Sequence, residues 1–329
     1  MLLAWLTGAG PAADPWLILL LALALDAAVG DPPWLYRAVP HPVALFGRLV
    51  EAGERRLNAP GLARAARTLR GAALVCAVVS AAAASGWAAE RALAAVPGGW
   101  IAEAALASTL IAARGLYDHV RAVADGLERG LDEARAAVAR VVGRDPERLD
   151  AAGVARAAAE SAAENFSDGV VAPAFWFALF GLGGLCAYKA LNTLDSMLGH
   201  RSARFEAFGK AAARLDDAAN WIPARLAGLI LVAAAAFLPG ASAGRAWRTM
   251  VRDAPRHRSP NAGWPEAALA GALGFALAGP RRYPEGPVAD HWMGDGRADL
   301  DAADLRAALR LYLAASAVLA ALPAAAMLA

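Results

Sequence analysis

The chain has 329 residues and reads as a single domain over 1–329. Hydrophobic residues make up 58% and charged residues only 19%, a departure from soluble globular composition that points to membrane helices. A net charge of +2 gives no basis for binding nucleic acid, and Cys76 and Cys186 sit in apolar runs with neither disulfide nor metal spacing.

Apolar runs fall at Trp16–Val29, Gly71–Ala89, Val170–Ala187, Leu226–Leu238, Ala267–Ala278 and Leu309–Leu328. Several are shorter than the roughly 20 residues needed to span a bilayer, so some are expected to be tilted, re-entrant or core helices. The first 15 residues carry no Lys or Arg, and Asp31 to Arg70 carries seven arginines. That asymmetry puts the N-terminus outside and the following loop in the cytoplasm. Asp26 interrupts the first run, and an intramembrane Asp is a functional candidate. The loop after it reads Gly30-Asp31-Pro32-Pro33, then Pro40-His41-Pro42 and Gly47-Arg48, so prolines fix the backbone around His41.

Arg114 to Arg156 is arginine-rich. Leu116, Val120, Val123, Leu127 and Leu131 recur at helical spacing, with a turn expected at Gly143-Arg-Asp-Pro146. Then come three polar clusters. Glu160, Glu164 and Asp168 are spaced i, i+4, i+8, one acidic stripe if the helix is regular. Like charges at that spacing repel unless a cation neutralises them, and hard carboxylate oxygens suit Mg²⁺ with substrate phosphates. Asn192, Asp195, Ser196 and Gly199 share a second face. Asp216, Asp217 and Asn220 form a third, with Lys210 and Arg214 supplying positive charge. A single crossing at Val170–Ala187 would separate the second and third clusters from the first. The break Gly181-Leu-Gly-Gly184 allows a re-entrant hairpin instead, since broken helices are tolerated where they line a protein cavity. Ser259-Pro260-Asn261-Ala262-Gly263-Trp264-Pro265-Glu266 opens the next apolar helix, where exposed amides could receive an anion. No β-alternation is long enough to matter. The fold class is therefore all-α: a polytopic helical membrane protein with amphipathic cytoplasmic helices and a re-entrant segment. No P-loop, nucleophile elbow or Cys/His metal pattern is present in the sequence.

These motifs together resemble the CobD/CbiB family of cobalamin biosynthesis. The matching text is Leu25-Asp26 through Gly30-Asp31-Pro32, and His41-Pro42-Val43 with Gly47-Arg48. It continues with Glu160-Ser161, Ala163-Glu164-Asn165, Asp168 to Pro173 and Asn192-Thr-Leu-Asp195-Ser196-Met197. It ends with Arg214-Leu-Asp216-Asp217, Asn220 to Arg225 and Ser259 to Gly263. The likeness runs from about residue 17 to the last apolar run. Departures are Phe166, where a small or polar residue is expected, and the N-terminal extension through Asp14. The resemblance implies a multi-pass inner-membrane enzyme that joins adenosylcobyric acid to (R)-1-aminopropan-2-ol, or its O-phosphate, through an amide bond, consuming ATP and using Mg²⁺. Its partners would be those substrates, the lipid bilayer, and either other cobalamin-assembly enzymes or further copies of the chain. The site would face the cytoplasm.

Forming an amide from a carboxylate requires an activated acyl group, which ATP supplies as an acyl phosphate through metal, cationic clamps and positioning. On the residues, Glu164, Asp168, Asp195, Asp216 and Asp217 are expected at the Mg²⁺–phosphate centre. Asn165, Asn192, Ser196, Asn220 and Asn261 are expected to orient phosphate or substrate amides. Lys210, Arg214 and Arg225 would balance phosphate charge. His41 or Glu160 would take the amine proton, with Glu164 and Asp217 also in catalytic positions. Trp176, Trp221, Trp264 and Trp292 are expected as interface anchors. Two other readings are an Mg²⁺-dependent membrane prenyl- or phospho-alcohol transferase and a non-enzymatic membrane regulator resembling AmpE.

Overall fold

The computed structural model describes residues 13–59, 61–142, 146–200, 202–283, 286–288 and 290–328, with backbone alone for 281–283 and 286–288. Most of the N-terminal extension and the Gly143–Asp145 turn lie outside them. The fold is all-α. Among the described residues three helices are long and apolar enough to cross a membrane, Arg64–Ala94, Ala151–Leu198 and Ala302–Ala326, and the bent pair Lys210–Ala219 with Trp221–Ala235 makes a fourth if it is one span. Within the one chain, contacts define two compact units. One comprises Met1–Ala112, Ala172–Asn220 and Pro323–Ala329, the other Ala113–Val171 and Trp221–Leu322.

The first unit contains α1 (Pro15–Val29), α2 (Pro33–Ala38), α3 (Pro42–Leu57), α4 (Arg64–Ala94), α5 (Gly99–Ser108), α9 (Ala172–Leu198) and α10 (Lys210–Ala219). α1 is apolar, opens on Asp14, whose carboxylate caps Trp16 N at 2.9 Å, and packs on α5. The long α4 packs along α9. The second unit contains α6 (Ala113–Arg129), α7 (Leu131–Val138), α8 (Ala151–Phe166), α11 (Trp221–Ala235), α12 (Ala243–Asp253) and α13 (Gly263–Leu273), with most of α14 (Ala302–Ala326). The 114–156 pattern predicts one amphipathic helix through Leu131; the structure divides it at Gly130 into the amphipathic α6 and α7. Tyr312 of α14 donates to the Ala113 carbonyl at 2.8 Å and meets Phe166 edge-on at 5.5 Å.

The Ala267–Ala278 run is a core helix. α13 is only 11 residues long and is buried on nearly every face, which makes it too short to span and too enclosed to meet lipid. Past it, four short strands form two antiparallel ribbons: β1 (Leu277–Ala278) with β4 (Trp292–Met293), and β2 (Arg281–Tyr283) with β3 (Gly286–Val288). The expectation of no significant β-structure therefore holds except for these ribbons.

The segment Ala151–Leu198 passes a test of length and apolarity as one 48-residue helix. At 1.5 Å per residue a straight rod of that length would run about 72 Å, more than twice a hydrocarbon core of about 30 Å. It is interrupted twice. A π-helical turn covers Ser167–Val171. Gly181 then takes φ 66° and ψ −155°, a conformation open to glycine and strained for any L-residue. A Cβ on Gly184 would stand 2.6 Å from the Trp176 carbonyl oxygen, eight residues back. In a continuous helix those residues are about 12 Å apart. The chain therefore folds back at Gly181 into a helical hairpin, as the Gly181-Leu-Gly-Gly184 pattern predicts. Its arms are Ala172–Phe180 and Leu182–Leu198.

A break of this kind frees backbone groups at both new helix ends, and α4 takes one from each. Trp87 Nε1 donates to the Phe180 carbonyl at 3.0 Å. Glu90 Oε2 accepts from Leu182 N at 3.0 Å. Gly86 and Gly183 permit the approach, since a Cβ on Gly86 would meet the Leu182 carbonyl oxygen at 2.7 Å and one on Gly183 the Trp87 indole at 2.2 Å.

Gly181→Ala is expected to cost about 1–3 kcal/mol through backbone strain alone, and its Cβ would displace the Glu90 carboxylate 2.5 Å away. Gly181→Ala, Glu90→Ala and the double variant, compared by thermal unfolding in detergent, should show a double loss smaller than the sum, because both changes act on one junction. Strict additivity would separate Glu90 from the break.

Candidate functional site

Several predicted residues meet in the first unit. The second hairpin arm carries Asn192, Asp195 and Ser196, and α10 carries Lys210, Arg214, Asp216 and Asp217, with Asn220 at its C-cap. Asn220 is 1% exposed. Its Nδ2 donates to Asp216 Oδ2 at 2.9 Å, and its Oδ1 accepts from Tyr188 OH at 2.8 Å. Asn192 also presents its side chain to Asp216, and the negative charges of Asp195 and Asp217 act on the same carboxyl. Asp216 Oδ1 is buried without a hydrogen-bond partner. Trp176 of the first arm donates to the Ala219 carbonyl at 3.3 Å, tying α10 to the hairpin. Tyr188 and Trp176 also wall an apolar cavity of about 310 Å³ between the hairpin and α4.

With Lys210, Arg214, Asp216 and Asp217 within ten residues, α10 is too charged for hydrocarbon. Burial pushes the Asp216 carboxyl up from 3.8 to about 7. Repulsion from Asp195 adds to the rise and the two carboxamides oppose it. Lys210, Arg214 and Asp217 are exposed on the same helix. Ser196 Oγ donates to its own helix at the Asn192 carbonyl and is exposed.

These donors fit a hard divalent cation in chemistry: crowded carboxylates, one with an orphaned buried oxygen. Among the described residues no group of three His, Cys, Asp or Glu side chains could hold a metal ion by itself.

His41 stands elsewhere in the first unit, as the N-cap of α3. Its Nδ1 accepts from Val43 N at 3.1 Å, which leaves Nε2 to carry the proton of the neutral ring towards Asp31 Oδ1 at 3.3 Å. The Tyr36 ring lies 4.5 Å from the imidazole. Both ring nitrogens are engaged, so this arrangement makes His41 an orienting group for Asp31 instead of a free base. Burial would raise the Asp31 carboxyl, but the hydrogen bond from His41 outweighs it, with Tyr36 and Lys189 adding to the effect, and the group is held below its usual value. Burial and the neighbouring acids push the Tyr36 phenol up to about 12.

In the second unit Glu160 is 6% exposed, and its Oε1 accepts from Ala278 N at 2.8 Å. Ala278 has φ 58°, so Glu160 anchors an unusual backbone turn and is spent on structure. Glu164 and Asn165 are exposed, and Asn165 Nδ2 donates to the Ser161 carbonyl at 2.9 Å. Asp168 falls within the π turn. There the backbone hydrogen bonding passes from i→i+4 to i→i+5. Arg225 is held between two indoles, 4.1 Å from the Trp221 ring and 4.6 Å from Trp264, and donates to the Trp221 carbonyl at 2.7 Å and to Asn261 Oδ1 at 3.4 Å. Trp221 and Trp264 thus clamp a cation in addition to any role at the interface. The helix start at Ser259 is already satisfied, because Ser259 Oγ accepts from Asn261 N and Ala262 N at 3.2 Å each. Those two amides are not left for an anion.

Motif reasoning missed Tyr188, Lys189 and the Trp87–Glu90 pair. Lys189 carried one visible signal, as one of only two lysines among 32 basic residues.

The architecture defines a class: an all-α polytopic membrane protein whose re-entrant hairpin arm and a charged helix enclose a carboxylate–carboxamide cluster. The chain belongs to the CobD/CbiB family, whose model, described as "CobD/Cbib protein", matches residues 19–312. It is 49% identical over 303 residues to the cobalamin biosynthesis protein CobD of Brucella anthropi, covering 90% of this chain and 92% of that one. It is 49% identical over 308 residues to the protein of the same name from a Sinorhizobium species (92% and 95%), and 46% identical over 296 residues to that of Rhodobacter capsulatus (90% and 92%). No solved structure matches. A role in cobalamin biosynthesis follows.

Asp216→Asn tests the cluster. A carboxyl whose folded pKa is raised opposes folding increasingly as pH rises from 3.8 towards about 7, and by a constant amount above that. The variant should lose cobalamin-forming function yet unfold at an equal or higher temperature than wild type at pH 8, with no such gain at pH 3.5. An equal loss of stability at both pH values would show that Asp216 is structural.

Proposed function

We propose that the protein joins the carboxylate of adenosylcobyric acid to (R)-1-aminopropan-2-ol O-phosphate, or to the free amino alcohol, with ATP as co-substrate, giving adenosylcobinamide or its phosphate. The observation that carries this reading is the Asp216 cluster: acids and carboxamides gathered on α10 and the hairpin arm of a cobalamin-biosynthesis family member. In the reaction the corrinoid carboxylate oxygen attacks the γ-phosphorus of ATP, forming an acyl phosphate and releasing ADP. The neutral amine nitrogen then attacks the acyl carbon. The C–O bond to phosphate breaks with its electron pair, phosphate leaves, and the nitrogen gives up one proton.

Asp195 and Asp216 would hold Mg²⁺, which supplies charge neutralisation for the transferring phosphoryl group when bound. Asn192 and Asn220 orient what Asp216 binds. Lys210 and Arg214, exposed on the same helix as Asp216, meet the phosphate charge. Asp217, exposed beside Asp216, takes the amine proton, the role that His41 and Glu160 are not placed to fill. Glu164, Asn165, Asp168, Arg225 and Asn261 of the second unit are proposed as substrate contacts, with Arg225 the fixed cation among them. ATP use places the reaction at the cytoplasmic face of the inner membrane. Association with other cobalamin-assembly enzymes or with further copies of the chain belongs to the same proposal.

The test is ATP-dependent formation of the corrinoid amide by purified protein in detergent, followed by mass spectrometry. Asp217→Ala should lower turnover roughly 100-fold or more, the scale of a lost general base. Full activity in Asp217→Ala, or product formed without ATP, would overturn the assignment.

A further inference from the structure

Three aromatic side chains of the first unit enclose one space and spend their polar tips elsewhere. Trp87 Nε1 donates to the Phe180 carbonyl, Trp176 Nε1 to the Ala219 carbonyl and Tyr188 OH to Asn220 Oδ1. What faces the cavity of about 310 Å³ is ring surface and aliphatic carbon, and none of the described residues that line it is charged. Packed interiors leave few voids larger than a water molecule, and apolar ones stay dry. At this volume the cavity falls in the range of ligand sites.

Its shape follows from helical spacing. Val79, Ala83 and Trp87 stand at i, i+4 and i+8 on α4, so that wall runs about 12 Å along the helix. Ala187 and Leu191 stand one turn apart on the second hairpin arm, as do Trp176 and Phe180 on the first, where the two rings stack at 5.8 Å. The space is therefore a groove elongated along the helices. Tyr188 and Leu191 at its floor are buried, whereas Val79, Ala83, Trp176 and Phe180 at its rim are partly exposed. It opens sideways beside the middle of α4, a helix long and apolar enough to cross a membrane, so the opening meets hydrocarbon.

We propose that this groove holds one acyl chain of a bilayer phospholipid, and that the chain is a structural part of the Asp216 cluster. A nucleotide, an amino alcohol or a carboxamide would leave its polar groups unanswered there, which excludes polar ligands as occupants. An extended hydrocarbon chain matches both the lining and the elongated shape. The link to the cluster runs through the walls. Trp176 and Tyr188 face the groove with their rings and hold Ala219 and Asn220, the last residue of α10 and its cap, with their tips. Asn220 in turn donates to Asp216. A chain packed against both rings gives them the contacts that an empty groove withholds, and so fixes the seat of α10.

The experiment is native mass spectrometry of the full chain in mild detergent, for wild type, Ala83→Phe and Ala187→Phe, which fill the groove from different helices. Wild type should keep one phospholipid, identified by its mass, at detergent levels that strip the rest. In both filled variants the affinity for that lipid should fall at least about tenfold, the loss of two or more buried methylenes. Two variants keep the test open if one fails to fold, and a cooperative thermal transition shows which are folded. Hydrogen exchange reads the link to the cluster. Amides of α10 should exchange faster in lipid-stripped wild type and slow again when dioleoylphosphatidylcholine is returned, but not when its water-soluble headgroup, glycerophosphocholine, is added instead. In the filled variants stripping should leave that exchange unchanged. A wild type that retains no phospholipid, or equal retention in wild type and a folded filled variant, overturns the acyl-chain site. Exchange on α10 that ignores a bound lipid overturns its part in the Asp216 cluster.

Discussion

Trp87 and Glu90 of α4 close the two open ends of a broken helix, and the placement of the first unit's polar residues depends on that closure. An orphaned carbonyl and an orphaned amide inside apolar surroundings would each cost several kcal/mol. With Trp87 Nε1 on the Phe180 carbonyl and Glu90 on the Leu182 amide, the turn at Gly181 becomes tolerable. The chain then runs back along α4 instead of onward. Gly86 and Gly183 let α4 and the hairpin approach closely enough for those two side chains to reach, and Gly184 lets the two arms close on each other.

From this turn follows the arrangement of charge. The returning arm is long enough to carry Tyr188, Lys189, Asn192 and Asp195 on successive turns. α10 docks against the hairpin through the Trp176 bond to Ala219 and the Tyr188 bond to Asn220. Asp216 is thereby buried among carboxamides with two further acids acting on it. Such a site is poorly stabilised by its own groups. A buried carboxylate with an orphaned oxygen is a standing cost to the fold, and a cation with phosphate oxygens is the kind of ligand that removes it.

The sequence carried the all-α membrane class, the break at Gly181 and the gathering of Asn192, Asp195, Asp216 and Asn220, because these depend on glycine chemistry and helical spacing. It did not carry what depends on local departures from the helix. A π turn interrupts the helix at Ser167–Val171, around Asp168, and no residue-spacing rule signals that turn. Glu160 and His41 look like free acid and base in sequence, yet a backbone amide from a distant strand claims one and the helix cap claims the other. The apolar run at Ala267–Ala278 has the composition of a membrane segment, and only its enclosure by neighbouring helices shows it as core. Lys189 escaped because it belongs to no acidic motif. Its signal was rarity, which clustering arguments do not weigh.

The central claim is that the chain reverses at Gly181. Spin labels at Phe175 and Ser196, in a background with Cys76 and Cys186 replaced, measure it by electron–electron distance. The 21 intervening steps would separate the two backbones by about 32 Å in a continuous helix. The hairpin predicts a distance distribution centred well below that, at a backbone separation of about 16 Å from the nine-residue offset along the arms and one helix-packing distance. A single population near the continuous-helix value would contradict the reversal and the site geometry that depends on it.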